Sequence, residues 1–351
     1  MKKKALIVTV YNSQNSGSFL QAFAMHAILT KLGLNVGFYK RKDSESSHSK
    51  RIVIARCIKK IQSFKFAEAI NELSVWFTFN HLLKRFSIYD KNSSFYNQTE
   101  YVILGSDTIW NFDKSYFRSH AAIFLGSSFE GKKVFSYAVS AANTSADIFN
   151  SVVEKYGLQH LSTILVRDAY TKDLVEGVAG REAKIVTDPT LLLDKSDYAP
   201  LYQTIDISVP YLLLYYFGDI STEIQNAIIS YASSHNLKVV SMPYVRKWCD
   251  MSKNQDPRNM VSYFLHATAV ITNTFHGCAL SLVFEKPFAV HNEGKNKITS
   301  FLNLYHERDR YFESADQISI LLEKQNTVKK SNIYKEVQET SINLIKKEIN
   351  I

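Results

Sequence analysis

The sequence predicts an α/β protein built from two parallel-sheet lobes. Three observations support this: β-rich runs alternate with segments of helical period, polar loops follow those runs directly, and 351 residues exceed what one core usually fills. With 46% hydrophobic residues, including 20 Tyr and 22 Phe, two large cores can be filled and disorder is excluded.

The first lobe opens with a β-rich run at 5–10, a helical pattern at 18–32 stopped by Gly33, and a second strand at 36–39. Such a βαβ start predicts a parallel sheet whose ligands bind at strand carboxyl ends, and the absence of GxGxxG after the first strand argues against a dinucleotide. Residues 51–89 read as one or two amphipathic helices. Strands are expected again at 101–104, 134–138, 164–166 and 185–187, with a helix at 169–175. Asp188-Pro189 breaks the chain and 196–210 is a polar connector, so the first lobe is placed at 1–195, with a basic helical insertion at about 45–90.

A second set follows: strands at 211–216, 237–242, 269–272 and 287–290, and helices at 221–235, 260–267, 275–284 and 297–304. Two Rossmann-like lobes result, the second at 196–330, followed by a C-terminal amphipathic helix within 331–351.

Charge narrows the partners. The net charge of +9 suits an acidic ligand, and much of it lies in 40–65, where nine Lys or Arg face two acidic residues. This segment reads either as a platform for an anionic membrane or lipid-linked ligand, or as a solvated helical surface. The basic start at 1–4 precedes an apolar run ending at Val10, too short for a signal core or a membrane span, so a cytoplasmic protein, peripheral at the membrane's inner face, is expected. Cys57, Cys249 and Cys278 lack paired spacing and read as reduced thiols. No His, Cys and carboxylate spacing suggests a metal, His26 and His81 read as packing residues, and no nucleic-acid module is present.

Three strand-end motifs could carry chemistry. In Gly105-Ser106-Asp107-Thr108-Ile109-Trp110-Asn111, glycine permits close backbone approach, Asp107 could take a proton from a sugar hydroxyl, and Trp110 offers a face to a pyranose ring. The same residues also describe an ordinary turn with Trp110 in the core. In Thr272-Asn273-Thr274-Phe275-His276-Gly277, a helix begins directly after a strand, so its unpaired N–H groups favour phosphate or carboxylate, and His276 could donate and recover a proton. A structural histidine fits equally. Arg167-Asp168 follows a third strand: Arg167 is either an anion clamp or half of a surface pair capping the next helix.

Taken together, these motifs resemble the polysaccharide pyruvyltransferase family, whose members have two Rossmann-like lobes in a GT-B arrangement. The resemblance spans nearly the whole chain. It runs from Asn15-Ser16-Gly17-Ser18-Phe19-Leu20-Gln21-Ala22-Phe23-Ala24, where the family often reads NYGAxLQAYA, through Gly105-Ser106-Asp107 with Trp110-Asn111, Ser136-Tyr137-Ala138, Val166-Arg167-Asp168 and Asp188-Pro189, to Asn273-Thr274-Phe275-His276-Gly277. It implies transfer of a pyruvyl group from phosphoenolpyruvate to a hydroxyl pair on a lipid-linked or oligosaccharide acceptor, with no cofactor, in capsule or exopolysaccharide assembly. On this reading His276 is the general acid, and Asp107 is the base or acceptor anchor. Arg167 and the turn from Asn273 through Thr274 and Phe275 to Gly277 form the anion site. Asn15, Ser18 and Gln21, with Gly105, Ser106, Trp110 and Asn111, line the acceptor side. Thr274 stands where the pyruvyl-transferring branches carry Arg, which leaves open a glycosyltransferase using a nucleotide sugar. A non-catalytic glycan-binding protein is a third reading.

Overall fold

The computed structural model describes residues 2–41, 50–64, 66–291, 294, 296–324 and 331–351. The chain forms two compact units, unit 1 from 1–192 with 338–351 and unit 2 from 193–337. Of the basic segment at 40–65, residues 42–49 and Lys65 lie outside the described residues, as does Met1 of the basic start.

Unit 1 contains β1 (Lys4–Val8), β2 (Asn35–Tyr39), β3 (Ile88–Tyr89), β4 (Tyr101–Leu104), β5 (Lys133–Val139), β6 (Leu161–Val166) and β7 (Lys184–Ile185), in the order β3-β2-β1-β4-β5-β6-β7. All of its strand pairs are parallel. Helices cover both faces of such a sheet, so β1 and β4 are continuous apolar runs, with Ala5 to Val8 and Val102 to Leu104 shielded from water. The core beside β4 gathers Trp110, Phe112, Phe124 and Phe149, each worth about 1.5–3 kcal/mol of burial.

Capping residues set the helix starts. Asn15 accepts from the Ser18 N–H at the head of the helix Ser16–Lys31, and Asp168 accepts from the Thr171 N–H at the head of Ala169–Ala179. Gly180, at φ 59°, ends the latter in the left-handed conformation. A helix at Ala146–Tyr156, started by Ser145, was not anticipated, although Phe149, Val152 and Val153 carry helical spacing. The segment expected to be helical through 89 divides into helices Lys50–Gln62 and Phe66–Leu83, followed by β3, which pairs with the edge of β2.

Unit 2 contains β8 (Tyr211–Tyr215), β9 (Lys238–Met242), β10 (Met251–Ser252), β11 (Ala269–Thr272), β12 (Phe288–His291) and β13 (Tyr311–Phe312), ordered β10-β9-β8-β11-β12-β13 and again all parallel. The edge strands β10 and β13 have two residues each, too short for any periodicity to announce them. The last helix, Asn332–Glu348, is not a separate tail as expected. Its first residues belong to unit 2, where Tyr334 packs on Tyr305. From Gln338 it belongs to unit 1, where Glu348 accepts from Ser162 Oγ at 2.6 Å and Thr163 Oγ1 at 2.5 Å.

All three cysteines are free, and no described helix is long and apolar enough to cross a membrane. Among the described residues, no group of three or more His, Cys, Asp or Glu could hold a metal ion. His26 stacks on Phe38, and burial pulls its pKa below the usual 6.5.

Candidate functional site

A doubly wound sheet opens a crevice at the carboxyl ends of the two strands where its strand order reverses, because the flanking connections leave on opposite faces. In unit 1 these strands are β1 and β4, and the segments after them carry Asn15, Ser18 on the first helical turn, and the 105–111 motif. Asp107 and Ser18 meet across this point: Ser18 Oγ donates to Asp107 Oδ2 at 2.6 Å, while Asp107 Oδ1 accepts from the Thr108 N–H at 2.7 Å. Asp107 sits at φ 78°, a left-handed conformation that Asp tolerates better than most side chains, and Ser140 N–H donates to its carbonyl at 3.0 Å. Gly105 is required beside it, since a Cβ would fall 2.4 Å from Tyr137 O. Asp107 remains half-buried.

Beneath Asp107 runs a buried network. Thr9 Oγ1 donates to Ser106 O at 2.9 Å and accepts from Gln21 Nε2 at 3.1 Å, and Ser106 Oγ donates to Asp188 Oδ2 at 3.3 Å. Arg167 Nη1 donates to the same Asp188 oxygen at 3.0 Å, with the two side chains 3% and 0% exposed. Burial opposes the charge on Arg167, but the carboxylates of Asp188, Asp107 and Asp168 outweigh it and hold the guanidinium more firmly protonated than usual.

Several expectations change here. Arg167 is a buried internal counterion, not an open clamp or a surface pair, because its side chain is 3% exposed and its Nη1 donates to Asp188. Trp110 is fully buried and its Nε1 donates to Phe124 O at 2.8 Å, so a sugar ring cannot lie on it. Gln21 is likewise fully buried and donates to Thr9, Val10 and Ser18, a spacer under the site and not a lining residue. Asn15 is exposed as the helix cap, and Asn111 is half-buried in the turn.

In unit 2 the order reverses between β8 and β11. Asn273 bridges the two following loops with both ends of its amide: Phe217 N–H donates to its Oδ1 at 2.9 Å, and its Nδ2 donates to Phe217 O at 2.8 Å. At 1% exposure this is a staple and not a substrate contact. Thr274 caps the helix Phe275–Val283 through its Oγ1, which accepts from the Gly277 N–H at 2.9 Å. Phe275 is buried against Phe301. Gly277 is needed because a Cβ there would stand 2.1 Å from Thr272 Oγ1. His276, half-buried on the first helical turn with its ring edge-on to Phe275, is the side chain this framework presents.

Two arginines escaped the sequence reading. Arg246, in the loop after β9, donates through Nη2 to Tyr216 O at 3.2 Å and Gly218 O at 2.7 Å, so it is tied to the loop that Asn273 holds. Arg41, counted there as surface charge, is 2% exposed after β2, donating to Thr9 O at 2.6 Å and to Tyr116 Oη at 2.9 Å. For both, the available signal was an arginine within a few residues of a strand's carboxyl end, the same signal that marked Arg167. Unit 1 also holds a cavity of about 560 Å³ beside the ends of β2 and β3, lined by Tyr39, Lys40, Asp90, Tyr96 and His120 among others. None of the expected site residues lines it.

Two parallel, doubly wound units with stapled polar loops at their switch points define the class: an α/β protein that offers small-ligand sites at strand carboxyl ends. The chain belongs to the polysaccharide pyruvyl transferase family, whose profile matches residues 15–291, and it is therefore a transferase. Comparison with curated proteins gives no match. Among solved structures it is similar to a Listeria monocytogenes protein assigned as a UDP-N-acetylglucosamine 2-epimerase, at 8% identity and TM-score 0.57, covering 100% of this chain and 97% of that one. It is also similar to the UDP-GlcNAc 2-epimerase of Methanocaldococcus jannaschii (8%, TM-score 0.53, 99% and 100%) and to S. aureus MnaA solved with UDP (11%, TM-score 0.51, 100% and 97%). At such identities the likeness shows the fold alone.

Proposed function

We propose that the protein transfers a pyruvyl group from phosphoenolpyruvate to two hydroxyls of one sugar in a cell-surface polysaccharide precursor, forming a cyclic ketal and releasing phosphate. What carries this reading, beyond the family, is that the half-buried Asp107 and His276 each stand at the switch point of their own sheet. Protonation of the donor's methylene carbon makes a methyl group and leaves the adjacent carbon cationic. One sugar hydroxyl adds there, phosphate departs, and the second hydroxyl closes the ring. Of the two hydroxyl protons, one balances the proton given to the methylene and the other leaves with phosphate.

His276 is assigned as the acid that protonates the methylene carbon. The N-terminal N–H groups of its helix suit the donor's anionic groups, and Arg246 supplies a nearby cation tied to the stapled loop. Asp107, oriented by Ser18 and the Thr108 N–H, is assigned as the group that holds an acceptor hydroxyl and takes its proton. Arg167 acts indirectly, by keeping a positive charge beneath that carboxylate.

Calorimetry with phosphoenolpyruvate, followed by mass spectrometry of lipid-linked sugars incubated with it, tests the proposal. Binding and a mass gain of one pyruvate ketal are expected, the mass gain being lost in His276→Ala with the fold intact. Binding of a nucleotide sugar in place of phosphoenolpyruvate would move the assignment to a glycosyltransferase. Thr274 gives that outcome a structural basis, since its hydroxyl is committed to the helix cap where the pyruvyl-transferring branches carry Arg.

A further inference from the structure

The cavity of about 560 Å³ at the carboxyl ends of β2 and β3 has no part in the chemistry assigned above, yet its size suits a small-molecule site. Its walls are braced. Tyr39, the last residue of β2, is buried, packs edge-on against Phe129 at 5.0 Å and lies 6.1 Å from Tyr96 at a tilt of 45°. Tyr96 is pinned by Lys132, whose Nζ stands 4.4 Å from the ring centre and donates to the Tyr96 carbonyl at 2.7 Å. Burial raises the pKa of both phenols above the usual 10, so each remains a hydrogen-bond donor. His120, also on the wall, is oriented through its Nδ1, which donates to Tyr116 O at 2.8 Å.

The lining matches a polyhydroxyl ligand. Asp90 begins a turn in which its Oδ1 accepts from the Asn92 N–H at 2.9 Å, which leaves Oδ2 as an acceptor for a ligand. The Asn92 side-chain amide and the Lys40 ammonium line the same space, and neither bonds another described residue. Donors and acceptors are thus interleaved around Tyr39, Tyr96 and Ile123, whose apolar surface suits the C–H face of a sugar ring. A phosphate would meet the Asp90 carboxylate, and a purely apolar ligand would strand both Asp90 and Lys40. Sugar hydroxyls donate as well as accept, and so satisfy all of these groups.

Position relative to Asp107 identifies the sugar. In the order β3-β2-β1-β4, neighbouring strands lie about 4.8 Å apart, so the end of β2 stands about 10 Å and that of β3 about 14 Å from the end of β4, where the Asp107 loop begins. A path of contacts joins the two places. Thr9 Oγ1 donates to Ser106 O at 2.9 Å, Arg41 Nη1 donates to Thr9 O at 2.6 Å, and Arg41 Nε donates to Tyr116 Oη at 2.9 Å. The Tyr116 ring in turn lies 4.7 Å from that of His120. Such a separation is spanned by a few rings of an extended glycan. We infer, resting on the acceptor assigned above, that this cavity is a second sugar subsite, holding a residue of the acceptor a few rings away from the one that receives the ketal. The preferred acceptor is then an oligosaccharide and not a single sugar.

Saturation-transfer NMR of the full-length protein, without phosphoenolpyruvate, tests the subsite with lactose, a mannobiose and N,N′-diacetylchitobiose. Saturation of at least one of these disaccharides is expected, and excess inorganic phosphate should not displace it. Asp90→Asn with Asn92→Ala changes only exposed side chains and keeps the Oδ1 acceptor of the turn. It should weaken sugar binding about tenfold, with an unaltered circular dichroism spectrum. Absence of saturation for all of the disaccharides overturns the inference. So does undiminished binding in the double variant, or displacement by phosphate, which would make the cavity an anion site. The phosphate competition is read on the wild type and does not rely on any variant folding. Because the donor is left out, a failure of pyruvyl transfer leaves this result standing, and loss of sugar binding leaves the donor calorimetry standing.

Discussion

Removing the Asp188 carboxylate should destabilise unit 1 far more than removing the whole buried ion pair. In Asp188→Ala the Arg167 guanidinium stays where its side chain is 3% exposed and loses its partner at 3.0 Å. Breaking a buried ion pair by removing one member costs about 3–5 kcal/mol. The same carboxylate caps the 3₁₀ turn Pro189–Leu191, accepting from Thr190 N–H at 3.0 Å and Thr190 Oγ1 at 2.8 Å, which adds about 1 kcal/mol. Against a typical stability of about 5–15 kcal/mol, the variant should unfold at much lower urea. Arg167→Met with Asp188→Leu removes both charges and should recover more than half of the loss. Urea unfolding followed by tryptophan fluorescence in a Trp248→Phe background reports on unit 1, where Trp110 lies in the core. A loss within about 1 kcal/mol for Asp188→Ala, or a double variant as unstable as the single one, would refute the view that these groups are an internal pair.

Gly277→Ala should cost about 1–3 kcal/mol by overpacking against Thr272, and Thr272→Ala in the same chain should return part of it; urea midpoints decide. Asn273→Ala breaks both bonds to Phe217 and should cost about 2 kcal/mol, with hydrogen exchange rising first in the 216–218 loop. The folded state resists protonation of His26, whose pKa burial has lowered, so its contribution is full above pH 6.5 and lost as pH falls below that value. His26→Phe should flatten that part of the stability–pH curve. For Glu348, burial raises the pKa, but Ser162, Thr163 and Lys133 outweigh it and leave the value below 4.5, so stability is lost as pH falls through that range and Glu348→Gln should remove the slope. Thermal melts across pH test both.

The two parallel units and their strand-end loops are local matters, and the sequence by itself determined them. Apolar runs such as Ala5 to Val8 and Ala269 to Thr272 can only be interior strands, and a polar turn directly after each must lie at a carboxyl end. Caps such as Asn15, Asp168 and Thr274 are likewise legible, because a side chain three residues from its N–H partner needs no distant element.

Only the tertiary structure decided which polar residues face the solvent and which serve one another. Arg167 lies 21 positions from Asp188, Trp110 lies 14 from the carbonyl it bonds, and Asn273 lies 56 from Phe217. Each therefore looked like a substrate contact until its partner was brought to it. The two-residue strands β3, β10 and β13 exist only because a neighbouring edge offers them hydrogen bonds. The physical reason is common to all of these: local pattern sets which face of an element is apolar, but whether a buried charge or amide is free for a ligand depends on what the rest of the chain packs against it.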